Sequence, residues 1–86
     1  MAREVAAIAG GARALAERAE RVATAGDLRS ACHLADYALE ADPNDARVRE
    51  VVASLYERRA AGESSLMARN LFRAAAAYAR EGRPFA

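Results

Sequence analysis

The chain has 86 residues, of which 53% are hydrophobic and 29% charged, and its 13 basic side chains nearly balance its 12 acidic ones. This length predicts one domain, and this charged fraction is typical of a globular protein rather than a disordered one. The net charge of +1 argues against partners that need a strong positive field, namely nucleic acid and anionic membrane surfaces.

The first third of the chain predicts a short helix followed by a longer one. Residues 2–9 form a helical segment with Val5, Ile8 and Ala9 on one side, and the Gly10–Gly11 pair then interrupts it. A second helix covers residues 12–25. Its inward face has apolar side chains at helical spacing, and these are Leu15, Ala19, Val22 and Ala23.

The next stretch predicts a third helix bounded by capping residues. Gly26 suits the position just past a helix end, and Asp27 is a good N-cap for the following helix. At the other end, we expect Asp42 to cap a fourth helix whose first residue is Pro43. The inward face of the third helix contains Leu28, Ala31, Cys32, Ala35, Ala38 and Leu39, with Leu34 and Tyr37 beside it and Arg29, His33, Asp36 and Glu40 facing solvent.

Two more amphipathic helices complete the chain. The fourth covers residues 43–61 and ends at Gly62, and its apolar face consists of Val48, Val51, Val52, Leu55 and Tyr56. The last begins at Glu63 or Ser64 and continues to about Arg80. One of its faces consists of Met67, Leu71, Ala74, Ala75 and Tyr78, with Leu66 and Phe72 to either side, so the helix is apolar over more than one face. Regular structure ends at residues 82–84, and the final residues should fray.

These patterns predict an all-α fold, and no segment has the alternation of a strand. Residues 1–86 would form a single helical domain, a small bundle of four main helices. At its centre we expect a helical hairpin that turns at Asp42–Pro43 and is similar to a tetratricopeptide (TPR) repeat.

The sequence offers no group of residues suited to catalysis. His33 is the only histidine and Cys32 the only cysteine, and neither has a partner at metal-ligand spacing. Adjacent helical residues point in different directions, so the two cannot act as a nucleophile and its base. We therefore predict no catalytic residue, no metal site and no cofactor in this chain.

Two binding functions remain open from the residues themselves. A TPR-like adaptor would explain Gly26, Ala31 and Pro43, but 34 residues later stand Ala60, Ser65 and Ala77, so the repeat does not recur. A helix-turn-helix DNA reader is disfavoured because the arginines are scattered over all the helices.

Three segments resemble the alkyl sulfatase dimerisation domain: Gly26-Asp27-Leu28-Arg29, Ala41-Asp42-Pro43-Asn44 and Arg69-Asn70-Leu71-Phe72. The resemblance covers about residues 9–79 and is closest to actinobacterial-type members through residues 31–36 and 65–69. The chain departs from many members at Ser30 and at Asp36-Tyr37, where Trp and Asn-His are common.

The resemblance implies a non-catalytic helical domain that follows a metallo-β-lactamase-type catalytic domain. The chain would then be the C-terminal part of a zinc-dependent alkyl sulfatase-like hydrolase, or a free-standing relative. The zinc ligands of that family lie in the catalytic domain, so none is carried over to this chain. The implied partners are a second copy and the catalytic domain. No signal peptide or membrane-spanning segment is evident, which predicts a cytoplasmic setting.

We expect self-association to use the flank of the third helix and the broad apolar surface of the last one. The last helix has more large apolar residues than one core-facing stripe can bury, and exposed apolar area of this kind marks a partner surface. An alternative is that the first short helix folds back over this surface and leaves a monomer. The candidate interface residues are Leu34, Tyr37, Leu66, Met67, Leu71, Phe72 and Tyr78.

Overall fold

The computed structural model describes residues 1–83, which form five helices and no strand. The helices are α1 (Ala2–Ala9), α2 (Ala12–Thr24), α3 (Leu28–Ala41), α4 (Ala46–Ala61) and α5 (Leu66–Arg80). The predicted all-α class is confirmed, and the TPR-like character of the central hairpin stays a prediction. The expected fraying of the last residues concerns residues 84–86, which lie outside the described part.

The boundary between α2 and α3 forms as predicted. Gly26 has φ +104°, a left-handed conformation that glycine adopts without steric cost. Asp27 then caps α3, because its carboxylate accepts a hydrogen bond of 3.1 Å from the backbone N–H of Ser30. This cap fixes the direction in which α3 leaves the turn.

The predicted start of α4 at Pro43 is wrong. Asp42 accepts a hydrogen bond from the backbone N–H of Asn44 and holds a turn, rather than capping a helix. Asp45 is the N-cap instead, and accepts hydrogen bonds of 2.9 and 3.1 Å from the N–H groups of Arg47 and Val48. Two aspartates three residues apart satisfy the same capping pattern, and the turn around Pro43 needs the first of them.

The helices pack closely because the core consists mainly of alanine. Among the described residues, twelve of the twenty buried hydrophobic side chains are alanines, and side chains this small let helix axes approach. The most extensive packing is of α2 on α3 and of α4 on α5. The predicted apolar faces of α2, α3 and α4 all lie in this core, where the largest fully buried side chains are Leu15, Leu39, Leu55, Val48, Val51 and Val52.

The short helix α1 packs on α2 and α3. Its buried residue is Ala6, and Val5 packs against the core. Ile8, which the sequence groups with Val5 on one side of the helix, is 89% exposed. In a helix of only two turns, Ala6 and Val5 already fill the contact, so the remaining large residue is left in solvent.

The turn that follows α5 lies against the turn between α3 and α4. Gly82 has φ +73°, and a Cβ at this position would overlap the Pro43 carbonyl and the guanidinium of Arg49. That guanidinium is itself fixed, because its Nε donates a 2.6 Å hydrogen bond to the Pro43 carbonyl. No helix in residues 1–83 has both the length and the apolar character needed to cross a bilayer.

Candidate self-association surface

The outer side of α5 presents a continuous apolar stripe. Met67, Leu71, Ala74 and Tyr78 follow one another at intervals of four, three and four residues, which places them on one face of a helix. Met67 is 82% exposed, Leu71 48% and Tyr78 36%. We call these four residues the α5 stripe. The predicted face also contained Ala75, which the structure buries in the core instead.

The core-facing side of α5 is a second stripe that runs beside the first. Its buried members are Ala75, Ala76 and Ala79, and Phe72 packs against the core from its edge. The face of α4 opposite already holds Val, Leu and Tyr side chains, so little volume remains for the facing helix. Alanines fit that space, and the larger Met, Leu and Tyr side chains of α5 are turned outward.

Phe72 is the large side chain that anchors α5 to α4. Its ring stacks on that of Tyr56, with centroids 6.2 Å apart, and the guanidinium carbon of Arg59 lies 4.3 Å from the Phe72 centroid. Phe72 is therefore half-buried between α5 and α4 rather than free on the surface. Of the predicted interface residues on α5, Phe72 is the one that packs against the core.

Tyr56 in turn connects α4 to α3. Its hydroxyl donates a 2.6 Å hydrogen bond to the carboxylate of Asp36. Burial raises the pKa of Asp36, and the bond from Tyr56 only partly offsets this; burial and the same bond raise the pKa of Tyr56. Asp36 is half-buried, so its predicted placement in solvent is wrong. A buried tyrosine needs a partner for its hydroxyl, and that requirement was the available signal for Asp36.

The C-terminal half of α5 is attached to α4 by an ion-pair network. Arg80 donates hydrogen bonds of 2.9 and 3.0 Å to Glu57 and of 3.2 Å to Glu50. The hydrogen bond from Arg80 lowers the pKa of Glu57. One arginine thus bridges two acids a little under two turns apart on α4, and fixes the orientation in which α5 presents its stripe.

The other predicted interface residues are placed differently. Leu66, at the start of α5, is 66% exposed; Ser65 caps the helix there, one residue beyond the predicted start. Leu34 and Tyr37 on α3 are half-buried and pack against the core, and the Tyr37 ring meets that of His33 edge-on at 4.9 Å. α5 packs chiefly on α4, so α3 does not adjoin it extensively.

The alternative in which α1 covers the last helix is not what the structure shows, because α1 packs on α2 and α3. Sequence reasoning also missed Ile8 as an exposed apolar residue. A two-turn helix gives too few positions to distinguish its inner from its outer side.

The two side chains considered for catalysis, Cys32 and His33, lie in different environments. Cys32 is buried, which raises the pKa of its thiol, whereas the neighbouring His33 is exposed. Within residues 1–83, no group of three or more His, Cys, Asp or Glu side chains could hold a metal ion. The predicted lack of a metal and a cofactor in this chain stays a prediction.

Comparison with known protein families identifies the family of this chain. A family model described as alkyl sulfatase dimerisation matches residues 1–82, nearly the whole chain. No curated protein and no solved structure matches significantly. The match confirms the resemblance seen in the sequence and supports self-association and a non-catalytic role for this chain. The chain therefore belongs to the alkyl sulfatase dimerisation family.

Proposed function

We propose that this domain joins two copies of its polypeptide through the α5 stripe. The observation that carries the proposal is the exposure of Met67, Leu71 and Tyr78 along one helix face whose orientation is fixed by Phe72 and Arg80. The family assignment indicates what binds to the α5 stripe, because a dimerisation family implies a second copy of the same chain.

The spacing of the stripe suits helix-on-helix contact. Intervals of four, three and four residues are those with which two helices interlock their side chains. The stripe extends over about 17 Å of the helix, at about 1.5 Å per residue. A two-fold axis near Leu71 and Ala74 would bury the same stripe from both copies, as a closed symmetric dimer requires. Antiparallel crossing would place each Met67 near the partner's Tyr78, a favourable contact of sulfur with an aromatic ring.

The first prediction tests this contact. Leu71→Asp should shift the domain from dimer to monomer, because a carboxylate in the centre of an apolar contact loses its hydration. Sedimentation velocity over a range of micromolar concentrations measures the shift. Ala77→Asp is the matched control, since it adds the same charge on an exposed part of α5 outside the stripe and should leave the dimer intact.

The proposal fails if the wild-type domain stays monomeric at every accessible concentration, or if both variants dissociate it equally. Phe72→Asp is a poor test, because Phe72 stacks on Tyr56 and its loss would disturb the fold. A monomer that instead binds a peptide would support the alternative function, a free-standing TPR-like adaptor.

We further propose that the parent protein is a zinc-dependent, metallo-β-lactamase-type alkyl sulfatase-like hydrolase of cytoplasmic location. What supports this is the family to which the domain belongs. In that arrangement the catalytic domain holds the zinc, whose role is to activate water for attack on a sulfuric ester, and it is the second partner of this helical domain. The open reading frame tests the proposal: a His-x-His-x-Asp-His segment upstream of residue 1 is expected, and a frame without one contradicts it.

A further inference from the structure

A second feature, away from the α5 stripe, is an open cleft of about 710 Å³ where α2, α3 and α4 meet. Pockets of roughly 300–1,000 Å³ are the size that holds small organic ligands. One wall is apolar and contains Val22 and Leu34. The rim carries arginines from three helices: Arg18 of α2, Arg29 of α3 and Arg59 of α4.

The charge of this cleft is unbalanced in a chain that is nearly neutral. Its lining has three guanidinium groups and a single carboxylate, Asp36. That carboxylate is already engaged by the hydroxyl of Tyr56. The excess of two positive charges at the cleft exceeds the net charge of the whole chain.

Some arginines of the described chain are neutralised by an ion pair, and those of the cleft are among the ones that are not. Arg13, Arg47 and Arg80 each form an ion pair with an acid on a neighbouring helix. Within the described residues, Arg18, Arg29 and Arg59 form no ion pair with a carboxylate. Arg59 is nevertheless held in place, since its guanidinium lies over the Phe72 ring.

A neighbouring depression shows what a balanced surface looks like in this protein. It is lined by Glu17, Glu20, Arg21 and Arg47, and its charges neutralise one another, with Arg47 and Glu20 paired at 3.1 Å. No ligand of either charge is favoured there. The α2–α3–α4 cleft lacks that internal neutralisation.

We propose that the α2–α3–α4 cleft binds a small organic oxyanion, a carboxylate or a phosphate monoester with an apolar substituent. Arginine forks match the geometry of such oxygens and bind them with charge-assisted hydrogen bonds. The oxyanion lies among the arginines on the rim, and the substituent lies against Val22 and Leu34. This proposal does not depend on dimerisation through α5.

Titration with phenyl phosphate, followed by amide NMR shifts and by calorimetry, tests the site. Saturable shifts are expected at residues 29–36 of α3, with a dissociation constant on the order of 1 mM or tighter. Inorganic phosphate, which lacks the substituent, should bind several-fold more weakly, and phenol, which lacks the anion, should not bind there.

Two double variants that remove the same number of positive charges distinguish binding at the cleft from a general attraction of the anion to arginine side chains. The double variant Arg18→Gln/Arg29→Gln should weaken phenyl phosphate binding by about tenfold or more. The control Arg21→Gln/Arg73→Gln removes two exposed arginines outside the cleft and should bind as the wild type does. Thermal unfolding confirms that both variants are folded. The proposal is overturned by absent or non-saturating shifts on α3, by equal loss in the two variants, or by equal binding of phenol.

Discussion

The hydrogen bond that Tyr56 donates to the half-buried carboxylate of Asp36 contributes to the stability of the fold. Tyr56→Phe keeps the ring stacked on Phe72 but removes the only hydrogen bond that the described structure gives this carboxylate. We expect the free energy of unfolding to fall by about 1–2 kcal/mol, because a buried acceptor loses its partner. Urea unfolding at neutral pH measures the change.

Asp36→Asn is the matched comparison. The amide oxygen still accepts the bond from Tyr56, and the desolvated charge is gone. Burial raises the pKa of Asp36 above its ordinary value of 3.8. The contribution of wild-type Asp36 to the stability of the fold is therefore largest below pH 3.8 and is lost as the pH rises through the folded-state pKa. Asp36→Asn should therefore be at least as stable as the wild type at pH 7, with a smaller advantage at pH 3. A loss as large as that of Tyr56→Phe would contradict this account.

For single residues, the sequence predicts which side chains are buried better than it predicts which side chains form hydrogen bonds with them. The burial of Tyr56 follows from its place on the apolar face of α4. Its partner Asp36 lies twenty residues away on another helix, beside side chains that do face solvent. The arginines of the cleft are a similar case, because they come from three helices, and their proximity depends on how α2, α3 and α4 pack.

Among the elements, the N-terminus of α4 depends most on one side chain. Asp45 caps α4 and also accepts hydrogen bonds of 3.1 and 3.2 Å from Arg13 of α2. The bonds from Arg13 lower the pKa of Asp45. Its contribution to stability is therefore present above its ordinary pKa and is lost as the pH falls through the folded-state value, the opposite direction to Asp36.

Asp45→Asn should retain the cap, lose the ionic bond to Arg13 and be less stable than the wild type at pH 7. The two should converge as the pH falls through the folded-state pKa of Asp45, because Asp45 is then protonated in both the folded and the unfolded state. Thermal unfolding across this pH range measures the difference. Asp42→Asn changes the aspartate of the adjacent turn and serves as control; a pH dependence that shrinks as much in this variant would count against the role of Asp45.

For α5, the sequence predicts the existence and length of the helix but not which stripe faces inward. The apolar residues of α5 form two adjacent stripes at the same spacing, one with Leu71 and Tyr78 and the other with Ala75 and Ala79. Hydrophobicity favours the larger residues for the core. The structure buries the alanines because side chains of α4 already fill the space between the two helices. The spacing of apolar residues along the sequence does not show how much volume is left for them.

In the whole molecule, α5 is attached chiefly to α4, and the other helices share a more continuous core. Arg80, which bridges Glu50 and Glu57, is the last residue of α5, whereas Phe72 lies near the middle of the helix. Arg80→Gln should increase amide exchange in α5 more than in α2, because the end of the helix is released while the remaining core stays intact. Hydrogen exchange with mass spectrometry measures both. Arg73→Gln, on the same helix without a described carboxylate partner, should leave the pattern unchanged, and equal effects of the two would show that the network does not hold α5.

The abundance of alanine in the core also determines which substitutions the core can accept. In most cores, truncating a large side chain is the change that harms, and neighbouring atoms relax around it. Here Ala16, Ala19, Ala31 and Ala35 are fully buried at close helix contacts, where any added methylene has to separate two helices, at about 1–3 kcal/mol. Within the core the constraint therefore concerns positions that must stay small, while the exposed Met67 and Leu71 are constrained only by the partner surface that they contact.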